Sequence, residues 1–258
     1  MLELSRILMA AAMALLTLAL IVNAVVVSSR GRRSAATTAR AKVKIGTVTD
    51  EPTPVTPTAG HPISPLSPAE VTPETARPRR GVAWAADRGI ELALLCLTAG
   101  LIARVVVTGH APFSNQYEFA CSFAWGITAA YIFFNRRYHL RAVSLAVLPF
   151  AVVMLLYAGT VGAEARPLMP ALQNHWLLTL HVATAVIAYG AAAVAFGAAV
   201  LYLLSPRLKV RALPGRELLD EIGYRAVVVT FPMLTVMIIL GSVWADIAWG
   251  RYWSWDPK

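Results

Sequence analysis

Residues 7–27 read ILMAAAMALLTLALIVNAVVV, an apolar run without a single charged side chain. At a helical rise of about 1.5 Å per residue the run is just long enough to cross a hydrocarbon core of about 30 Å. Its flanks are unequal. Only Arg6, set against Glu3, precedes it, whereas Arg30, Arg32, Arg33, Arg40, Lys42 and Lys44 follow. That asymmetry favours an uncleaved helix whose N-terminus lies outside, with a signal peptide as the competing reading. Residues 1–29 are therefore expected to form an N-terminal transmembrane helix.

Beyond this helix the composition changes. Residues 30–80 are rich in Pro, Thr and Ala, with Pro52, Pro54, Pro57, Pro62, Pro65, Pro68, Pro73 and Pro78 spaced through them. Prolines at this density remove backbone donors and restrict the chain, and the few large apolar residues cannot offset its entropy, so a disordered cytoplasmic linker is expected. Residues 81–258 make the third unit. It carries five more apolar blocks, at about 85–107, 119–134, 140–158, 175–204 and 226–248. The block at 119–134 is the shortest and has the least certain boundaries.

The whole chain agrees with this reading. Of its 258 residues 57% are hydrophobic and 14% charged, against roughly 25% charged in an average soluble domain. The mean hydropathy is +0.60. An all-α polytopic membrane bundle of about six transmembrane helices follows. The net charge of +9 does not point to nucleic acid, because the basic residues sit between apolar blocks: Arg136, Arg137 and Arg141 divide one pair, and Arg207, Lys209, Arg211, Arg216 and Arg225 the next. This is the positive-inside pattern. It assigns residues 28–88, 135–141 and 205–225 to the cytoplasm and residues 108–118, 159–174 and 249–258 to the outer face. Cys96 and Cys121 form no C-x-x-C or C-x-x-C-H pattern, which argues against a thioredoxin-like centre or a c-type cytochrome.

The outer segments hold the unusual residues. Residues 249–258 read WGRYWSWDPK, with four aromatic rings at Trp249, Tyr252, Trp253 and Trp255. Trp and Tyr gather at membrane–water interfaces, so anchoring alone would explain such a cluster. The string, however, resembles the W-G-x-Y-W-x-W-D-P-K core of the Trp-rich "WWD" segment of the cytochrome c assembly family, the CcsA/ResC-type haem-handling proteins with relatives CcmC and CcmF. Gly109-His110-Ala111-Pro112-Phe113-Ser114-Asn115-Gln116-Tyr117-Glu118 resembles the G-H-x-P-x-S-N-x-Y-E segment of the CcsA branch, and Pro170-Ala171-Leu172-Gln173 with Trp176, His181-Val182 and Tyr189 its P-A-L-Q…W…H-V…Y stretch. The resemblance covers residues from about 90 to 258.

It implies haem handling in cytochrome c biogenesis: haem b, held non-covalently and transiently, is presented externally for attachment to an apocytochrome c bearing C-x-x-C-H, with a CcsB/ResB-type membrane partner. A haem-binding or haem-export module without synthase activity, and an inert truncated subunit, are the alternatives. The chain would then be at most a subunit of a cytochrome c synthase in the bacterial cytoplasmic membrane, with no self-contained active site. The family pattern continues past the Trp segment into further helices with more histidines, so the chain is expected to be incomplete at its C-terminus.

The physical chemistry of the residues fits that implication. A porphyrin is a flat apolar disc with two carboxylates, so Trp249, Tyr252, Trp253 and Trp255 can offer it faces and edges while Arg251 or Lys258 meets a propionate. Asp256 repels propionates and is expected to brace the loop by accepting donors. Iron needs an axial ligand, and neutral His is the natural one. Among the five histidines, His61 falls in the linker and His139 in a basic loop. His181 matches the family's outer ligand. His175, six residues earlier, falls on a different helix face, and His110 belongs to a segment expected to be structural.

Overall fold

The structure, a computed structural model, describes residues 1–45, 81–164, 175–207 and 213–253. Six helices follow in order: α1 (Leu2–Ile45), α2 (Val82–Thr108), α3 (Gln116–Tyr138), α4 (Arg141–Thr160), α5 (His175–Leu204) and α6 (Arg216–Trp249), with no strand among the described residues. Helices are what lipid demands, since each satisfies its own backbone groups where water is absent. Five of them are long and apolar enough to cross a membrane, α1 through its portion Leu2–Ser28.

The sixth, α3, is different in kind. Its 23 residues span about 34 Å, enough for the bilayer core, but they include Gln116, Glu118, Asn135, Arg136 and Arg137. The apolar block read at 119–134 is only its middle. Twelve of its residues are buried, among them Glu118, Ser122 and Thr128. It lies in the interior, against α2, α4 and α5.

One boundary differs from expectation. Helix α1 runs on to Ile45, through a stretch assigned to the linker. No proline occurs before Pro52, and the intervening Ala, Arg and Lys residues favour helix. Residues 46–80, where the linker was expected, lie outside the described residues.

Successive helices run antiparallel, and side-chain contacts sort the connections to two ends. At one end, Ser5 donates from its hydroxyl to the Gly100 carbonyl (3.0 Å) and Tyr157 to the Gln116 side chain (3.1 Å). At the other, Arg141 pairs with Asp87, Arg136 with Glu91 (2.9 Å), and the Arg216 guanidinium lies 4.3 Å from the Tyr202 ring centroid. The second end carries the basic loops and the first the Trp segment, the same partition the charge pattern gives. They are called here the basic end and the Trp end. Toward the basic end, Asn23 of α1 donates to Ser144 in the first turn of α4 (3.1 Å), both fully buried. Helix α6 stands apart, resting on α5 at the edge of the bundle.

Candidate functional site

The Trp end is assembled from motifs far apart in sequence. Its foundation is a charge inside the apolar stretch 92–107 of α2: Arg104 is fully buried against Glu118 of α3, Nε to Oε1 2.6 Å. Arg104 also donates to the Ala163 carbonyl (2.8 Å), and its guanidinium sits 4.7 Å from the Tyr117 ring centroid. The second Glu118 oxygen accepts from the Ser114 amide (2.8 Å) and hydroxyl, while the Glu118 amide donates to the Asn115 side chain (2.9 Å). Asn115 is thus the N-cap of α3 and Glu118 its N3 residue. The S-N-x-Y-E string is a helix start tied to a buried cation, and the α2–α3 and α4–α5 connections converge on it. His110 lies in the same turn, its Nδ1 2.8 Å from the Ala111 carbonyl.

Phe113 of that turn reaches the next layer. With Phe119, Phe123 and Trp125 of α3 it packs against Leu178, Val182 and Val186 of α5, and Trp244 of α6 joins the same cluster. His181 stands beside it, half-buried on α5. Its Nδ1 is 2.8 Å from the Met237 carbonyl oxygen. A carbonyl only accepts, so Nδ1 carries the proton of this contact, and in the neutral ring Nε2 keeps the lone pair. The Trp244 ring lies near-parallel to the imidazole (16°, centroids 6.4 Å apart), and Trp249 meets Trp244 edge-on (69°, 4.8 Å).

Helix α6 ends at Trp249 because Gly250 turns the chain at φ 71°, its amide donating to the Asp246 carbonyl (2.8 Å). That left-handed position explains the glycine of W-G-x-Y-W. Trp249, Tyr252 and Trp253 are then all exposed, at 55%, 70% and 71%. Trp255 and Asp256 lie outside the described residues. His181 and Trp249 are therefore brought together, through Trp244, into one open aromatic surface. Two grooves among the described residues lie elsewhere, one of about 410 Å³ between α1 and α4 and one of about 530 Å³ between α5 and α6 toward the basic end, and neither includes His181 or a Trp. His139 caps α3 at the basic end with φ 56°.

Sequence reasoning missed four contributors. Arg104 was the detectable one, because a lone charge in an apolar block always asks for a partner. Trp244 was hidden inside the block 226–248. The Met237 carbonyl, a backbone atom, carries no sequence signal, and Gly241, where a β-carbon would lie 2.6 Å from the His181 ring, shows in the sequence only as a glycine in an apolar block.

Comparison with known proteins accounts for these motifs together. The family described as "Cytochrome C assembly protein" matches residues 113–258. The "Cytochrome c biogenesis protein CcsA" of Synechococcus sp. (strain RCC307) is 34% identical over 214 residues, covering 70% of this chain and 68% of that protein. Its namesake from Synechococcus sp. (strain CC9311) is 34% identical over 207 residues, covering 66% and 68%. That of Gloeothece citriformis (strain PCC 7424) is 30% identical over 226 residues, covering 66% and 69%. With more than half of the chain inside the family match and two thirds of each relative aligned, this multi-pass membrane protein belongs to the cytochrome c assembly family.

Proposed function

We propose that, within the cytochrome c biogenesis role of its family, the chain holds haem b at the outer face and presents it for covalent attachment to apocytochrome c. The observation that carries this reading is the His181 imidazole, which donates Nδ1–H to the Met237 carbonyl and so directs an unprotonated Nε2 away from it. No described residue hydrogen-bonds to Nε2. An apolar aromatic surface beside such a nitrogen suits a metalloporphyrin, whose iron takes imidazole and whose macrocycle takes aromatic faces.

Haem here is substrate rather than resident cofactor. His181 would hold the iron, Trp249, Tyr252, Trp253 and Trp255 the macrocycle, and Asp256 would brace the loop. The haem vinyl groups supply the reactive carbons and the C-x-x-C-H thiols add across them, while the protein contributes positioning. A CcsB/ResB-type partner completes the assembly. The Trp end faces outward because the basic end holds the cytoplasmic charges.

The test is haem content and absorption of protein purified from haem-replete membranes. His181→Ala should convert or abolish the haem spectrum and added imidazole should restore it, whereas His139→Ala, at the basic end, should change neither. Replacing Trp253 and Trp255 together with Ala should lower haem content without impairing insertion. Unchanged haem in that double variant would make the Trp segment an interface anchor. A thioether-linked product from co-expression with the partner and an apocytochrome separates a synthase subunit from a haem exporter. Impermeant labelling of single cysteines at Ser114 and Gly162, but not at Arg137, checks the orientation.

A further inference from the structure

Three groups of α6 meet the His181 ring, and they lie on one stripe of that helix. Met237, Gly241 and Trp244 are spaced by four and then three residues, the interval that brings side chains onto one helical face. The Met237 carbonyl holds Nδ1 at 2.8 Å. A β-carbon at position 241 would lie 2.6 Å from Cε1 and 2.9 Å from Nδ1 of the ring, so even alanine would displace the imidazole. Trp244 lies near-parallel to the ring at 16°, and is itself held by the apolar cluster with Leu178, Val182 and Val186.

We propose that this stripe of α6 presets both the tautomer and the rotational setting of His181, which makes Gly241 and Trp244 positioning residues for an iron ligand. The inference rests on the haem reading above but assigns residues that reading does not use. Rotation about the ring's own bond to Cβ would carry Nδ1 off the Met237 carbonyl. The ring is therefore fixed before any ligand arrives, and the outer partner of a ligating imidazole raises its basicity as well as orienting it.

The two tryptophans consequently divide the work. An iron–nitrogen bond lies in the imidazole plane, so a macrocycle bound through Nε2 stands perpendicular to that plane. Trp244, near-parallel to the imidazole, can show such a macrocycle only its edge. Trp249 is turned 69° from Trp244 and is the ring that can approach it face-on. Trp244 belongs with the histidine and Trp249 with the porphyrin.

Nitrogen-15 NMR of histidine-labelled apoprotein reads the first half without haem, His181 being assigned by its loss in His181→Asn. The expected result is a single neutral form protonated at Nδ1, giving way to a mixture in Gly241→Ala. An Nε2-protonated ring in the unaltered protein overturns the proposal whatever the variants do. In the haem-loaded ferrous protein, the iron–histidine stretch seen by resonance Raman should move to lower frequency in Gly241→Ala and Trp244→Ala. Haem affinity should fall roughly 10- to 100-fold, as for other outer partners of metal-bound histidine. Trp244→Phe should recover most of both, and Trp249→Ala should lower haem content with the stretch in place. An iron–histidine stretch that depends on His181 but is unmoved in Gly241→Ala and Trp244→Ala overturns the inference while leaving the haem reading standing. Protein that carries no haem despite the Nδ1-protonated ring overturns the haem reading, and with it the iron role given to these residues.

Discussion

Helices α3 and α6 invert the rule learned from soluble proteins. Helix α6 is strongly apolar, yet almost none of its apolar span is buried inside the protein. Phe231, Ile238, Ile239 and Val243 all lie exposed. Helix α3 is too polar to stand among the membrane-spanning candidates, yet Glu118, Ser122, Thr128 and Tyr131 on it are buried. The bilayer explains both. Lipid is as apolar as leucine and supplies no drive to bury it, whereas a polar side chain in hydrocarbon must find a protein partner. On these two helices an exposed apolar face is what lipid tolerates, and a buried polar side chain is what it requires.

The deepest test of that contrast is the buried pair at the start of α3. Arg104→Met leaves the Glu118 carboxylate without its partner at 0% exposure and should cost about 3–5 kcal/mol. The paired change Arg104→Met with Glu118→Leu should recover most of the loss. Unfolding midpoints in detergent measure both, and equal losses in single and double variants would show that shape rather than charge matters there. Next comes the contact between α3 and α5, where the two backbones touch. A β-carbon on Gly190 would lie 2.5 Å from the Gly126 carbonyl oxygen, so Gly190→Leu should destabilise by about 1–3 kcal/mol through overpacking.

A smaller effect belongs to a single hydrogen bond of α3. The Trp125 indole donates to the Thr98 hydroxyl of α2 (2.9 Å), and Trp125→Phe should cost about 1 kcal/mol by the same measurement. The smallest belongs to α6. Val228→Leu or Phe231→Leu should stay within about 0.5 kcal/mol, since these side chains meet no protein neighbour that must be repacked. Spin labels at Val228, Phe231 and Ile238 in bilayers should report contact with lipid-dissolved oxygen, and labels at Ala124 or Ile127 should not. Protected labels on α6 would mean that another protein surface covers that face.

Local patterns carried much of this architecture. The six apolar blocks became six helices, and the basic loops gathered at one end, because helix length and charge placement are local properties that a bilayer reads directly. The motifs were legible only as family strings; that Asn115 and Glu118 start α3 and Gly250 ends α6 came from the structure. Their cooperation was not legible. Arg104 stood fourteen residues before Glu118 with nothing local to pair them, and the polar face of α3 weakened its apolar signal for the very reason that placed it in the centre.

His181 shows where local pattern and folded structure part. Its residue type, its place near the start of α5 and its match to the family pattern all belong to the chain as written. Which of its nitrogens meets a carbonyl was decided by α6, fifty-six residues away, where a missing β-carbon and one indole also adjoin the ring. Chemistry that resides in a side chain is printed in the sequence. A tautomer and a ring orientation are set by what surrounds the side chain, and only the approach of α6 to α5 supplies those surroundings.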